Sequence, residues 1–367
     1  MAKSVTKAIG ILTAGGDCPG LNAAIRGIGK AAIGKYGMQV VGISSGFYGL
    51  INNQTRILSD RDFSGILTQG GTILGSSREK PFAKRDGDDT SGDKPAMMVE
   101  TYKKLHLDCL VCLGGNGTQT TAYKLSQLGV NVIGLPKTID NDLAETDVTF
   151  GFHSAVAVAT EAIDRLHTTA TSHNRIMIVE VMGRKAGWLG LFSGVAGGGD
   201  VILIPEIPYD PDVIAQHLVE RARKGKQFSI VVVAEGAVSK KEAEEREKSK
   251  KKGKKKDKVV SARPTAGYCV ASQIQESTGM EARVTVLGYL QRGGIPTAYD
   301  RLLATSFGTE AARLLAKGKY NRMVVHKDGE VTNVDIEKVA GRTKLVPLDH
   351  ELIECGRLVE TCFGDEA

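Results

Sequence analysis

Short apolar runs alternate along most of the chain with longer amphipathic stretches. The runs are rich in Val, Ile and Leu, which is typical of strands buried on both faces, and the stretches between them have helical periodicity. The pattern predicts strands over Ala8–Thr13, Val40–Ile43, Leu107–Leu113, Val130–Leu135, Arg175–Val181, Phe228–Ala234 and Val284–Leu287. It predicts helices over Asn22–Tyr36, Lys94–Lys104, Gln119–Leu128, His153–Thr169, Asp212–Lys224 and Thr265–Ser277.

This alternation of strands and helices indicates an α/β protein with parallel sheets. We predict two doubly wound, Rossmann-like sheets with the active cleft between them, because such sheets bind ligands outside the carboxyl ends of their strands. The predicted domains are residues 1–151 with about 291–341, and residues 152–290 with about 342–367.

One segment of the chain has an unusual charge and is not expected to belong to either sheet. Residues 240–258 hold 11 basic and 5 acidic residues, which accounts for the whole formal charge of +6. Because the rest is balanced, no nucleic-acid partner is expected. A charged segment without apolar residues cannot offset its ordering entropy, so we predict a mobile, solvated insertion, with polyanion binding as the alternative.

Other compositional features favour a cytoplasmic protein without a membrane segment. No apolar run has the length of a membrane span, and the N-terminus lacks the apolar region of a signal peptide. Six cysteines in such a chain are expected to stay reduced. Cys109 and Cys112 form a C-x-x-C pair inside an apolar run, where a buried strand explains them better than a metal or redox site does.

The positions of the glycine residues indicate the chemistry of the site. It makes up 44 of 367 residues and clusters just after apolar runs. Gly15-Gly16 and Gly114-Gly115 each follow a predicted strand and precede a predicted helix, an arrangement that binds phosphate through backbone N–H groups and the helix dipole. A third strand ends in the loop 136–142, whose lysine and two aspartates suit a general base beside a metal-binding carboxylate.

Five motifs in this order resemble the phosphofructokinase family. They are GGDxPGxN from Gly15, GGT-x-LGSSR at Gly70–Arg78, P-x-TIDND at Pro136–Asp142, VMGR at Val181–Arg184 and LGYLQRGG at Leu287–Gly294. The resemblance covers roughly residues 8–310 and is greatest to the mixed-substrate branch, group III, whose members use ATP or pyrophosphate. It implies a glycolytic 6-phosphofructokinase that phosphorylates the 1-hydroxyl of fructose 6-phosphate, with a donor-binding first domain and a sugar-phosphate-binding second domain. A lipid or NAD kinase would share only the glycine loops.

The resemblance also implies a role for each matched residue. The catalytic residues would be Asp140, Thr138 and Arg184. Asp140 would be the base that accepts the proton of the 1-hydroxyl, Thr138 would touch the same end of the substrate, and Arg184 would steady the transferring phosphoryl group. The donor phosphates would be held by Gly15, Arg78, Gly115, Asn116, Gly117 and Thr118. Fructose 6-phosphate would be held by Thr138, Asp140, Arg175, Met182, Gly183, Arg184, Glu235, Arg283, Tyr289, Leu290, Gln291 and Arg292. Mg²⁺ would be held by Asn116 and Asp142.

Arg175 and Arg283 resemble the family arginines that reach the 6-phosphate across a subunit boundary. The chain is therefore expected to form a homodimer or homotetramer. Guanidinium groups suit this task because they bind phosphate with two parallel hydrogen bonds.

Three positions depart from the family pattern. Asn116 replaces the usual aspartate, which removes a charge from the metal site and leaves open a catalytically weak regulatory paralogue. Tyr289 stands where bacterial ATP-dependent enzymes more often carry histidine, and it cannot become cationic. His153 replaces an aspartate in a position that we interpret as structural.

Two residues bear on the donor. Gly117 is typical of ATP users, because an aspartate there would occupy the space of the α-phosphate. Lys137 is typical of pyrophosphate users, where it reaches the donor. Glycine removes the block against ATP while lysine creates none, so ATP is favoured and pyrophosphate is the alternative.

Overall fold

The computed structural model describes residues 4–82, 93–251 and 265–366, which form two units. The first unit comprises residues up to Ala155 together with Arg292–Lys344, and the second comprises Val156–Gln291 together with residues from Leu345 onward. The strands are β1 Ala8–Thr13, β2 Gln39–Ile43, β3 Thr55–Leu58, β4 Cys109–Gly114, β5 Val132–Pro136, β6 Ile176–Val181, β7 Val201–Leu203, β8 Ser229–Ala234, β9 Ala282–Val286, β10 Arg322–Lys327 and β11 Glu330–Asp335.

The α-helices are of very different lengths, from six residues to 22. They are α1 Leu21–Lys30, α2 Gly46–Ile51, α3 Lys94–Lys104, α4 Asn116–Ser126, α5 Phe152–His173, α6 Trp188–Ala196, α7 Pro211–Arg223, α8 Lys240–Lys251, α9 Ala266–Thr278, α10 Ala298–Ala316 and α11 Glu351–Leu358.

The first unit is built on a seven-stranded sheet of order β11-β10-β5-β4-β1-β2-β3. The five inner strands are parallel, and β3 and β11 add antiparallel edges. All residues of β1, β4 and β5 are buried, as expected where helices cover both faces of a sheet. The carboxyl ends of these three strands therefore form one edge from which the loops after residues 13, 114 and 136 emerge.

The second unit contains a four-stranded sheet of order β7-β8-β6-β9, parallel throughout. Its core is aliphatic, and Ile178, Val231 and Val233 lie at its centre. The two parallel-stranded α/β sheets confirm the predicted fold class.

The structure differs from the predicted elements where the pattern is weak. The predicted helix Asn22–Tyr36 is α-helical only to Lys30, and it continues as a π-helical turn over Ala31–Lys35. Helix α6 lacks a polar face because most of it is buried, so it has no amphipathic signal. The hairpin of β10 and β11 pairs a buried strand with a half-exposed edge strand, and the sequence pattern predicted neither.

Cys109 and Cys112 lie in β4, fully buried and without a disulfide. Burial raises the pKa of both thiols well above the ordinary value. Within the described part of the chain, no helix is long and apolar enough to cross a membrane. Of the charged segment 240–258, residues 240–251 form helix α8, and residues 252–258 lie outside the described residues.

Candidate active site

A cavity of about 600 Å³ opens at the carboxyl ends of β1, β4 and β5 in the first unit. Its walls come from the two glycine loops, the loop 137–142 and the segment 77–82. They include the predicted residues Gly15, Arg78, Gly115, Asn116, Gly117, Thr118, Lys137, Thr138, Asp140 and Asp142, together with Arg292.

The first glycine turn is tied to the segment that carries Arg78. Gly15 has φ +85°, a left-handed conformation that glycine adopts without strain. Its N–H donates to Ser77 O at 2.9 Å, and its carbonyl accepts from Ser76 Oγ at 2.6 Å. These two bonds explain why the turn and the motif ending in Arg78 meet although the chain separates them widely.

The second glycine loop leads directly into α4. Gly115 is the N-cap residue and offers no side-chain cap. Thr118 N donates to Gly115 O at 2.9 Å, so the N–H groups suited to an anion are those of Asn116 and Gly117. Thr118 packs against Gly114, where a Cβ would come within 2.5 Å of the threonine side chain. At Gly117, by contrast, a Cβ would meet nothing within 4 Å. Position 117 therefore faces open space in the cavity.

The loop after β5 is fixed by side-chain hydrogen bonds. Asn141 has φ +49°, and its Oδ1 accepts from Thr149 N at 3.0 Å. Thr138 Oγ1 accepts from Asp140 N at 3.1 Å. Together these bonds hold the backbone on both sides of Asp140.

Lys137 is 3% exposed, and its Nζ donates to the carbonyl of Gly16. Burial lowers the pKa of this ammonium, and the neighbouring charge of Arg292 lowers it further. The cation thus stands at the wall of the cavity beside the first glycine turn.

Three buried polar atoms at the cavity have no hydrogen-bond partner among the described residues. They are Ser77 Oγ, Asn116 Oδ1 and Arg292 Nε. Buried polar groups in folded proteins are nearly always paired, and an unpaired group calls for a specific explanation. Three such atoms around one cavity fit a polar ligand that supplies the missing partners.

The residues present also fit Mg²⁺. Asn116 donates through Nδ2 to the carbonyl and to Oδ2 of Asp142, at 3.1 Å each, which leaves its own Oδ1 as an unpaired acceptor. Mg²⁺ prefers oxygen ligands and commonly takes one or two protein ligands together with substrate phosphates and water. No cluster of three or more His, Cys, Asp or Glu side chains suited to a metal occurs among the described residues.

The second unit brings together another group of predicted residues. Met182–Arg184 follows β6, and Gly183 has φ +130°. Met182 N donates to Gln291 Oε1 at 3.2 Å, and Glu235 N donates to Val181 O at 2.8 Å. The backbones of Met182–Arg184 and Glu235 and the side chain of Gln291 therefore meet at the carboxyl ends of β6 and β8. Tyr289 and Leu290, from the same motif, are 72% and 68% exposed.

Arg175 and Arg283 lie elsewhere in this unit, at the amino ends of β6 and β9. Both pair with Glu281, Arg175 through Nε at 2.7 Å and Arg283 through Nη2. These two arginines lower the pKa of the Glu281 carboxyl, the hydrogen bond from Arg175 most of all. Arg175 is seven residues from Met182 along β6, about 23 Å at a strand rise of about 3.3 Å per residue. Arg283 pairs with Met177, which is five residues and about 17 Å from Met182. Within one chain they are therefore apart from the group around Met182–Arg184.

Several lining residues were not predicted from the sequence. Phe82, Lys80 and Lys124 line the cavity, and Lys124 Nζ lies 5.3 Å from the centre of the Phe82 ring. The structure also places Arg292, predicted as a sugar-phosphate ligand, in the same cavity as the donor group. His153 does not line the cavity but packs against Tyr299, with ring centres 4.2 Å apart and ring planes tilted by 56°.

Comparison with known proteins extends this picture. A family model described as Phosphofructokinase matches residues 8–315. The chain belongs to the phosphofructokinase family. A relative from Spirochaeta thermophila, named ATP-dependent 6-phosphofructokinase, is 62% identical over the full length of both chains. ATP-dependent 6-phosphofructokinase 3 of Bacteroides thetaiotaomicron is 51% identical, covering 97% of this chain and 99% of the relative.

Solved structures in the family have the same fold. Phosphofructokinase from Pichia pastoris in the T-state aligns with a TM-score of 0.79 and 31% identity, over 91% of this chain and 35% of that longer chain. A pyrophosphate-dependent phosphofructokinase from Nitrosospira multiformis gives a TM-score of 0.79 over 98% of this chain and 93% of the other, at 23% identity. This second likeness concerns the fold alone.

Proposed function

We propose that the protein is an ATP-dependent 6-phosphofructokinase, which transfers the terminal phosphoryl group of ATP to the 1-hydroxyl of fructose 6-phosphate. Relatives that are 45–62% identical along nearly the whole chain carry that name. The observation that carries the donor assignment is the open space at Gly117. The α-phosphate of a nucleotide has room there, and no carboxylate opposes it.

The form of the cavity supports a nucleotide. Pyrophosphate is a small ion and would leave much of a space of about 600 Å³ unfilled. Phe82 presents an aromatic face in the same cavity, beside Lys124, and such a face is suited to stacking on a base. Pyrophosphate remains the second candidate donor because Lys137 lines the wall.

The chemistry proposed for the site is direct transfer between two oxygens. Asp140 accepts the proton of the sugar hydroxyl, in a loop whose backbone Thr138 and Asn141 hold in place. The backbone N–H groups after Gly115 and the guanidinium of Arg78 bind donor phosphates, while Arg184 steadies the group in transfer. Asn116 Oδ1 and Asp142 are the protein ligands proposed for Mg²⁺, which when bound neutralises charge on the donor phosphates.

On the sugar side, Met182–Arg184, Glu235 and Gln291 are proposed to hold fructose 6-phosphate. The separation of Arg175 and Arg283 from this group supports a contribution from a second subunit. Their shared contact with Glu281 keeps two guanidinium groups side by side, as a phosphate requires. The proposal therefore includes a homodimer or homotetramer, located in the cytoplasm and acting in glycolysis.

A single experiment separates the possible functions. Formation of fructose 1,6-bisphosphate from fructose 6-phosphate is followed in a coupled assay, with Mg²⁺ and either ATP or pyrophosphate as donor. We expect turnover with ATP. Turnover with pyrophosphate alone would overturn the donor assignment, and binding of both substrates without turnover would indicate the regulatory paralogue that Asn116 suggests.

A further inference from the structure

The six residues 142–147 follow closely on Asp140, and we call them the 142–147 loop. Glu145, within this loop, has φ +65°, which is the left-handed region that favours glycine or asparagine over other residues. A residue keeps such a conformation only where its surroundings hold the backbone in place. The contacts that hold the 142–147 loop therefore also bear on the positions of Asp140 and Asp142.

Lys344 contacts both ends of this loop. Its backbone N–H donates to Asp142 O at 2.8 Å. Its ammonium donates from Nζ to Thr146 O and to Asp147 O, at 2.8 Å each. One residue, 198 positions after Thr146 in the sequence, thus joins the first residue of the loop to its last two.

The charge of Lys344 suits this position. The oxygens of two consecutive carbonyl groups carry partial negative charge, and they repel each other when they converge without a donor between them. An ammonium supplies three N–H donors and a full positive charge, and its hydrogen bonds are stronger than those of a neutral donor. A side chain of the same length without these donors would not hold the two carbonyl groups of Thr146 and Asp147 together.

The first residue of the loop lies in the candidate active site. Asp142 lines the cavity, and its carbonyl accepts from Asn116 Nδ2 at 3.1 Å as well as from Lys344 N. Asn116 and Asp142 are the protein ligands proposed for Mg²⁺, and Asp140 is two residues away. A displacement of about 1 Å at a reacting centre can slow a reaction by about 100-fold. A contact that fixes the 142–147 loop can therefore act on the rate without touching a substrate.

We infer that Lys344 is a positioning residue for phosphoryl transfer: it fixes both ends of the 142–147 loop and so places Asp140 and Asp142 in the cavity. Its own side chain does not line the cavity. Lys344 also lies beyond residue 315, where the match to the family model ends, and it belongs to none of the five motifs. The inference rests on the proposed function, because that function gives Asp140 and Asp142 the roles of base and metal ligand.

The first test measures the order of the loop in the protein without substrates or Mg²⁺. Lys344→Met removes the ammonium and keeps a side chain of similar length, and Lys338→Met is the control because Lys338 is exposed in a nearby turn. Hydrogen–deuterium exchange of peptides that cover residues 140–147 should be about tenfold faster in Lys344→Met than in the control. Exchange in β1 and β4 should be the same in both variants.

The second test separates positioning from binding. In the coupled assay with ATP and fructose 6-phosphate, we expect Lys344→Met to lower kcat by about 10- to 100-fold relative to Lys338→Met. KM for each substrate should change much less, because the other residues proposed to bind the donor and the sugar phosphate have no contact with the substituted side chain.

A third measurement uses Lys344→Ala. This substitution removes three carbon atoms and the ammonium, which together have the composition of the n-propylammonium ion. Added n-propylammonium should therefore raise kcat of the variant and slow the exchange of residues 140–147. Tetramethylammonium, which has the charge without N–H donors, should do neither.

Four outcomes would overturn the inference: unchanged exchange in residues 140–147, unchanged kcat, faster exchange throughout the first unit together with a lower melting temperature, or equal effects of the two ammonium ions. The third outcome would mean that Lys344 stabilises the fold as a whole. The assignment as a phosphofructokinase is judged separately, because the unsubstituted enzyme either forms fructose 1,6-bisphosphate from ATP or does not.

Discussion

Substitution of Gly117 by aspartate separates the two candidate donors most directly. Gly117 lies in the first turn of α4, and a side chain there would enter open space in the cavity. The substitution should not destabilise the fold, since an acidic residue in the first turn of a helix is favoured by the helix dipole. It should weaken ATP binding, because the carboxylate would lie beside the α-phosphate and repel it.

The size of the effect follows from the distance and the surroundings. Two like charges about 4 Å apart repel by roughly 4 kcal/mol at the effective dielectric constant of about 20 that suits a partly open site. A penalty of this size corresponds to a loss of roughly three orders of magnitude in kcat/KM for ATP. Pyrophosphate has no α-phosphate in that space, so its turnover should persist or rise with Lys137 in place.

The assay compares kcat/KM for ATP and pyrophosphate in Gly117→Asp and in Gly117→Asn, which has nearly the same size without the charge. We expect the asparagine variant to lose far less activity with ATP than the aspartate variant. Equal losses of kcat/KM for ATP in the two variants would show that the size of the side chain, rather than its charge, excludes ATP. An aspartate variant that keeps the ATP activity of the asparagine variant would refute the placement of the α-phosphate at position 117.

Three further predictions concern the base, the metal and the assembly. Asp140→Asn should lower kcat by about 10²- to 10⁴-fold with little change in the melting temperature, and near-normal turnover would remove Asp140 from the mechanism. Asn116→Asp would place a carboxylate beside Asp142 Oδ2, which is now 3.1 Å from the amide Nδ2. Without Mg²⁺ the two like charges should lower the melting temperature of the variant, and added Mg²⁺ should restore it. A melting temperature that does not change with Mg²⁺ would contradict the metal site. Arg175→Ala should raise KM for fructose 6-phosphate without changing KM for ATP, and sedimentation velocity should show at least a dimer, whereas a fully active monomer would contradict the shared site.

Much of the fold could be predicted because its signals are local. Strands β1 and β8 are continuous apolar runs, and each lies within a residue of its predicted bounds. The hairpin of β10 and β11 was missed, since the polar edge strand β11 alternates only weakly. Helix α6 was missed for the opposite reason, because most of it is buried and it has no polar stripe to mark its period.

In the candidate site, only residues that belong to a sequence motif were predicted. The glycine loops and the loop after β5 can be recognised from their residue types, and in the structure their residues line one cavity. Phe82 and Lys124 belong to no motif, and their closeness depends on how the segment 77–82 packs against α4. Arg292 shows a different limit: the residues that precede it in its motif lie in the second unit, whereas Arg292 begins a segment of the first unit and its side chain reaches a turn formed by residues 16 and 17.

The unpaired atoms of the cavity connect the stability of the first unit to its function. A buried polar group without a partner costs about 1–3 kcal/mol, and Ser77, Asn116 and Arg292 each hold one such atom. Pairing them within the chain would stabilise the unit, but it would also occupy the atoms that meet a donor and its metal. The hydrogen bonds that do form, from Arg292 to Asp17 and from Asn116 to Asp142, orient each side chain and leave one polar atom of it unpaired. We therefore interpret these unpaired atoms as a source of affinity for the donor. A ligand that forms hydrogen bonds with them removes the cost of leaving them unpaired in the folded protein, and that free energy adds to its binding.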